Sequence, residues 1–253
     1  PPQPLHNIIV VDDDASCDMI TGCTTVHSAN DALHVGVSEM YIGENSSLSF
    51  TMIHSWNNET AVRPRTNVVM KKNARYVNNY VVLDPVGTIQ SFPNAYLNGE
   101  GASCSFNTMC IAHENSNIDT GGCAILNAPN PGAEILSRNI SYGGRMIARG
   151  RLIGNAPGAK AHLECKSIIL KDGGMTQAIP ELEASCADVE MTHEAAVGKI
   201  AQEQIEYLMS RGLTEDEAVS MIVRGFLVGG IKGLPANLQK EIDAAIEKAS
   251  EGD

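Results

Sequence analysis

Residues 127–140 read N-A-P-N-P-G-A-E-I-L-S-R-N-I, and residues 155–168 read N-A-P-G-A-K-A-H-L-E-C-K-S-I. Each opens on Asn-Ala-Pro, passes through Gly-Ala and continues as an alternating strand pattern. Two copies of one turn, each feeding the same kind of strand, are the signature of a chain that coils and returns to the same place. Working outward, a Gly, Asn or Asp followed by a small residue recurs at Asp14-Ala15, Asn45-Ser46-Ser47, Asn73-Ala74, Gly101-Ala102, Gly132-Ala133, Gly158-Ala159 and Cys186-Ala187-Asp188. Successive copies lie about 26 to 32 residues apart, a spacing that points to a stacked repeat.

Between these turns the chain reads as strands from Leu5 to about Met191. Examples are 8–11 (I-I-V-V), 33–42, 47–53, 67–70, 76–83 and 102–112, each alternating or β-branched and closed by Gly, Asn, Asp or Pro. A β-sandwich is the rival arrangement, but sandwich loops vary freely in length, whereas here the turn chemistry recurs in register. Small residues at fixed turn positions also allow adjacent coils to stack closely. The expected fold is therefore mainly β, a parallel β-helix (solenoid), whose last coil is a natural docking edge.

After Thr192 the period changes. Val197, Ile200, Ala201, Ile205, Leu208 and Met209 follow helical spacing, with Gly212 as the stop. Thr214-Glu215-Asp216-Glu217 is a capping box that opens a second helix through Ala218, Met221, Ile222 and Phe226, ended by the glycines from Gly225 to Gly233. Pro235 starts a third, with Leu238, Ile242, Ala245, Ile246 and Ala249 as its stripe. The expected division is a β-helix core over 1–192 and a helical domain over 193–253. Helices this short cannot bury their faces alone, so they are expected to pack on the last coils, on a partner, or on both.

With a net charge of −12, nothing suggests an electrostatic grip on nucleic acid or an anionic membrane, both of which need a basic face. No apolar run approaches the roughly 20 residues of a spanning helix, and the opening P-P-Q-P-L-H is not a basic-then-apolar signal, so a cytoplasmic chain is expected. The sequence has no initiating Met, so the reading allows for a preceding piece. The seven cysteines are odd in number and form no C-x-x-C, which argues against a disulfide framework or zinc ribbon and fits a reducing compartment. Aromatics are only 4% of residues, so small and branched side chains must fill the core.

Signatures of nucleotide hydrolysis, hydride transfer, the nucleophile elbow and the H-E-x-x-H metalloprotease are all absent from the sequence. If ATP drives the work of this protein, another chain hydrolyses it. The residues that stand out are Cys165 and the pair His193-Glu194. Each has a purely structural account. Cys165 shares strand parity with Leu163, Ser167 and Ile169 and fits as a small core residue. Thr192 fits as a helix N-cap, Glu194 as a first-turn acid and His193 as an exposed bystander. His113 and His162 read as lone histidines, and most of the remaining cysteines as core. The functional account needs thiolate, imidazole and carboxylate close together at a protein edge, a mixed set suited to holding an iron–sulfur cluster temporarily.

The segment from Arg149 to Leu227, above all H-E-A-A-V-G-K-I-A-Q-E-Q-I-E-Y-L-M-S-R-G-L-T-E-D-E-A-V-S-M-I-V-R-G-F-L (193–227), resembles the SufB/SufD family of iron–sulfur cluster assembly proteins. A weaker likeness extends upstream through R-P-R-T (63–66) and H-N-I-I-V-V-D-D (6–13). The resemblance implies a right-handed parallel β-helix followed by a C-terminal helical domain. It implies a non-catalytic scaffold that pairs with a second SufB/SufD-type subunit through the β-helix and binds an ABC-type ATPase, SufC, chiefly through residues 194–229. It also implies a transient iron–sulfur cluster, passed on to apo iron–sulfur proteins. The cysteine and glutamate implicated in the SufB branch fall on Cys165 and Glu194, and the functional histidine of the SufD branch falls on His193. One chain carrying all three is compatible with a homodimer. Bacterial SufB has an acidic residue where this chain has Thr192, it carries an N-terminal region with further cysteines that has no counterpart here, and no flavin motif is recognisable.

The reading that follows is a scaffold in which ATP-driven closure of the docked ATPases opens the interface around Cys165, His193 and Glu194. A β-helix polysaccharide-acting enzyme is the second reading and needs carboxylates and basic residues along one solenoid groove. A metal-free interaction solenoid is the third.

Overall fold

The computed structural model describes residues 2–24, 32–229 and 240. In chain order the strands are β1 (Pro2–Val11), β2 (Ser16–Thr24), β3 (Leu33–Ile42), β4 (Ser47–Ser55), β5 (Ala61–Val62), β6 (Arg65–Met70), β7 (Arg75–Val82), β8 (Thr88–Ser91), β9 (Asn94–Leu97), β10 (Ser103–His113), β11 (Asn117–Leu126), β12 (Gly132–Tyr142), β13 (Arg145–Gly154), β14 (Ala159–Lys171), β15 (Met175–Ala184) and β16 (Val189–Gly198). Two helices follow, α1 (Gln202–Met209) and α2 (Glu215–Val228). The expected third helix, from Pro235 to Ala249, falls outside the described residues apart from Lys240.

The strands alternate between two sheets, one of nine strands and one of seven, so that each coil contributes to both. In the seven-stranded sheet the order is β16-β14-β12-β10-β7-β4-β2 and every pairing is parallel. Ser16 pairs with Ser47, Ser47 with Arg75, Arg75 with Ser103, Ser103 with Gly132 and Gly132 with Lys160, offsets of 31, 28, 28, 29 and 28 residues. The repeat spacing seen in the sequence is thus the rise of one coil of a parallel β-solenoid of about six turns.

The recurring turns work as the sequence suggested in six of the seven copies, one of them shifted, while the seventh, Cys186-Ala187-Asp188, has no residue with positive φ. Asp14, Asn45, Asn73, Gly101, Asn130 and Gly158 all have positive φ, a region tolerated best by Gly, Asn and Asp. In the fifth copy the residue with positive φ is Asn130 and not Gly132, which already begins β12. Each of these residues hands its backbone N–H to the next coil: Asn45 to Lys72 O at 2.9 Å, Asn73 to Glu100 O at 2.9 Å, Gly101 to Pro129 O at 3.0 Å, Asn130 to Pro157 O at 3.0 Å. Side chains stack along the same corner, Asn73 Nδ2 donating to Asn45 Oδ1 at 2.9 Å and Asn45 Nδ2 to Asp14 Oδ1 at 3.1 Å. At another corner Asn127 donates to Asn98 (2.8 Å) and Asn155 to Asn127 (2.9 Å). These ladders fix the register of coil on coil.

Between the sheets lies a core of Met40, Ile42, Leu48, Val68, Met70, Tyr76, Leu97, Phe106, Leu126, Ile135, Leu152, Leu163 and Cys165, in which Tyr76 and Phe106 meet edge to face at 5.9 Å. Residues of opposite parity on the seven-stranded sheet face outward. Among them Val81, Met109, Ile111 and Ile140 are apolar, and α2 covers them with Val223 and Leu227. The helix therefore lies across β7, β10 and β12 and reaches Leu170 of β14, so it packs on the later coils as expected but stops short of β16. The reason is that the outward apolar patch is there, whereas the outward face of β16 is polar or small.

The helical period also begins later than its sequence suggested. Residues 189–198 pair in continuous parallel register with 159–168, so Thr192, His193, Glu194 and Val197 belong to β16. Strand continues past the 192/193 division, and α1 starts at Gln202 with no side-chain cap. A strand edge offering a full ladder of backbone partners outweighs a helical spacing that no cap supports. The second helix starts where expected, with both hydrogen bonds of the Thr214–Glu217 capping box in place: Thr214 N–H to Glu217 Oε2 at 2.7 Å and Glu217 N–H to Thr214 Oγ1 at 3.3 Å.

Candidate functional site

The pairing of β14 with β16 decides where each candidate side chain goes. Leu163 pairs with His193, Glu164 with Glu194 and Cys165 with Ala195. Side chains alternate between the two faces along a strand. Cys165 is fully buried between the sheets, and His193 lies on the same face one strand further out and two residues along, exposed because no described coil covers β16. Glu194 is on the opposite, outer face with its side chain 54% exposed. Cys165 and His193 are thus brought to one face, and Glu194 is separated from both. Thr192 is not a cap: it is an outer-face strand residue.

Burial pushes the Cys165 thiol up to about 11. A hydrogen bond with Ser137 opposes this, the neighbouring Glu164 carboxylate adds to it, and the Arg138 charge again opposes it. In this arrangement the sulfur is a protonated, shielded thiol, neither a nucleophile nor a metal ligand. The remaining cysteines divide as expected for core residues, Cys104, Cys110 and Cys123 being buried, while Cys17, Cys23 and Cys186 are half-buried.

The outer face next to Cys165 carries an ionic cluster that sequence reasoning missed. Glu164 is only 9% exposed. Its Oε1 forms an ion pair with the guanidinium of Arg138, itself 7% exposed, and its Oε2 receives Lys166 Nζ at 2.7 Å. The same ammonium reaches Glu194 Oε1 at 3.1 Å. Burial would raise the Glu164 carboxyl, but its contacts with Lys166 and Arg138 outweigh burial and hold it below the ordinary carboxylate range. Glu164, and then Glu194, hold the Lys166 ammonium above its usual range.

His162 joins this cluster: its Nδ1 lies 2.8 Å from Thr192 Oγ1, and a ring nitrogen of His162 and carboxylate oxygens of Glu164 and Glu194 all lie within 4.8 Å of one another. His162 had read as a lone histidine. The signal that locates it was present in the coil repeat, since 164 and 194 are one coil apart and His162, Glu164 and Lys166 alternate onto one face.

Arg138 extends the cluster to the helices. Its Nε donates to Gly229 O at 3.3 Å and its guanidinium carbon sits 5.9 Å from the centroid of the Phe226 ring. A chain of contacts therefore runs from the end of α2 through Arg138, Glu164 and Lys166 to Glu194. On the far sheet a cleft of about 380 Å³ holds Arg65, Arg149 and Arg151 beside Asp119 and Glu181. Its acids are committed to ion pairs, Asp119 with Arg149 at 2.6 Å and Glu181 with Arg151 at 3.5 Å, unlike the free acid and base that glycoside chemistry requires.

Comparison with known proteins places this geometry in context. Residues 2–226 match the family described as SUF system FeS cluster assembly, SufBD core domain. The chain is 48% identical over 247 residues to an iron-sulfur cluster assembly SufBD family protein of Archaeoglobus fulgidus, covering 98% of this chain and 66% of that protein. It is 45% identical over 251 residues to a protein so named from Methanothermobacter thermautotrophicus (99% of this chain, 61% of the relative). It is 33% identical over 254 residues to one from Staphylococcus saprophyticus (98% and 54%). The chain spans 54% to 66% of the length of these curated relatives.

Proposed function

From the premise that this chain belongs to the SufBD core family of the SUF iron–sulfur cluster assembly system, we propose that it is a non-catalytic scaffold on which a cluster is built transiently and passed to apo iron–sulfur proteins. Two copies pair through the open edge at β16, and a SufC-type ABC ATPase docks on the helices and supplies the ATP cycle. Cys165, His193 and Glu194 are the ligands, and the setting is the cytoplasm. Among the described residues no helix is long and apolar enough to cross a membrane.

One observation carries this reading. All three candidate ligands lie on the last two strands of one sheet, beside an edge whose far side has no strand partner among the described residues. Such an edge accepts a second chain. The opposed faces of Cys165 and Glu194 support a resting state that cannot hold a cluster. Iron and sulfide reach the thiol only after the edge has opened, and until then burial protects it from oxidation. The contacts from α2 through Arg138 to Glu164 supply a physical route by which an ATPase seated on the helices biases that opening. It works to the extent that the ATPase prefers one arrangement over the other.

Anaerobic reconstitution with iron(II) and sulfide tests the proposal. The wild-type chain is expected to develop cluster absorption that Cys165→Ala loses. An unchanged spectrum in the variant removes Cys165 from the ligand set. Light scattering with and without a SufC-type ATPase tests the assembly, a dimer that gains mass with the ATPase being expected and a monomer indifferent to it counting against the reading.

A further inference from the structure

Glu164 and Glu194 face each other across β14 and β16 with the Lys166 ammonium between them, 2.7 Å from one carboxylate and 3.1 Å from the other. An ammonium cradled by two carboxylates beside an imidazole holds the position that a metal ion takes in a mixed nitrogen and oxygen site. We propose that His162, Glu164 and Glu194 form an exchange site for one divalent first-row metal ion on the outer face of the sheet. Lys166 is the tethered cation that the ion displaces, and Arg138 is the link that makes the site sensitive to α2. One imidazole and two carboxylates suit manganese(II), iron(II) or zinc(II). The site stands on its own geometry, and only the identity of the ion as iron(II) rests on the assembly reading above.

The three donors come preorganised. Glu164 sits on a paired strand, and its buried Oε1 is met by the Arg138 charge without an aligned hydrogen bond. The Thr192 hydroxyl steadies the His162 ring, the usual way a second contact orients a ligating imidazole. Lys166 is the mobile member, a flexible side chain 31% exposed that can swing into solvent.

Charge sets the strength of binding. Two carboxylates face two cations, Lys166 and Arg138, so the resting cluster is neutral. Exchanging Lys166 for a divalent ion leaves one excess positive charge while Arg138 stays. Drawing Arg138 away with α2 restores neutrality and strengthens the hold on the ion. The site is thus a weak, gated one on the outer face, one residue from the Cys165 thiol on the inner face, and suits an ion in transit.

The probe is manganese(II), titrated into the whole chain and followed by loss of its free-ion paramagnetic resonance signal, with iron(II) dialysis under argon as the second measurement. One ion per chain is expected. His162→Ala and Glu164→Gln are each expected to weaken binding by about tenfold or more, while Lys166→Met tightens it by about fivefold. No binding at about millimolar metal, or an affinity unmoved by both His162→Ala and Lys166→Met, overturns the proposal. Those two side chains are not buried, so a folding failure of Glu164→Gln leaves the test intact. A chain that builds a Cys165-dependent cluster yet binds neither ion overturns this site alone. A chain that binds the ion and builds no cluster supports the site and overturns the assembly reading alone.

Discussion

Cys165 and Glu194 lie on adjacent strands and on opposite faces of one sheet, because Cys165 pairs with Ala195 and Glu194 with Glu164. No side-chain rotation moves a residue from one face of a pleated sheet to the other. A cluster that uses both must therefore reach around the edge of β16, which has no strand partner among the described residues, or draw its ligands from two chains. His193 is placed differently, on the same face as Cys165 and uncovered by any coil among the described residues. The thiol and the imidazole need only that the edge open, whereas the carboxylate needs a rearrangement or a partner.

The burial of Cys165 makes a direct prediction for thiol chemistry. In the native chain at about pH 8, ordinary alkylating reagents are expected to modify the half-buried Cys17 and Cys186 well before Cys165, whose thiol is fully buried and pushed up to about 11. Peptide mass spectrometry after brief labelling reads this directly. Early labelling of Cys165 would mean that the edge is already open in the isolated chain.

Glu164→Gln leaves the buried Arg138 without its counter-charge and is expected to cost about 3 kcal/mol, the usual scale for breaking a buried pair from one side. Denaturant midpoints measure it. The pH dependence has a definite sign. The folded carboxyl is held below its ordinary value of 4.5, so its contribution is complete above that value and is lost as pH falls through the lowered one. The gap between wild type and variant should therefore narrow under acid conditions, and a gap that widens there contradicts the ion-pair account.

Asn73 tests the turn ladder. With φ of 54° and its amide on Asn45, Asn73→Ala should lose both left-handed tolerance and a stacking hydrogen bond, costing about 1–2 kcal/mol. Asn73→Gly loses only the bond and should cost less than the alanine variant in the same thermal melt. Equal losses would show that the hydrogen bond, and not the backbone conformation, carries the corner.

Thr214→Ala removes the capping box of α2 and should cost about 1 kcal/mol. Because α2 holds Arg138 through Gly229 and Phe226, the loosening should appear as faster amide exchange over 215–228 and, more weakly, around Glu164, with β1 and β3 of the other sheet unchanged. Exchange that rises in α2 alone would mean that the helix end and the ionic cluster are uncoupled.

The sequence by itself determined the solenoid, because stacking repeats a local requirement. Nearly every coil turns on a Gly, Asn or Asp able to take positive φ, in most copies followed by a small residue, and those residues recur in the chain at the coil length. It also determined the start of α2, since a capping box is complete within four residues. Only the tertiary structure decided which face each candidate side chain occupies, because that depends on the register of β16 against β14. A helical spacing in the same residues hid that strand, and a long-range backbone ladder overrode it. The ionic cluster of Arg138, Glu164, Lys166, Glu194 and His162 was likewise beyond local reading. Its members come from three coils and answer to a helix some 90 residues further along, joined by Coulomb attraction across a sheet and not by any pattern in sequence.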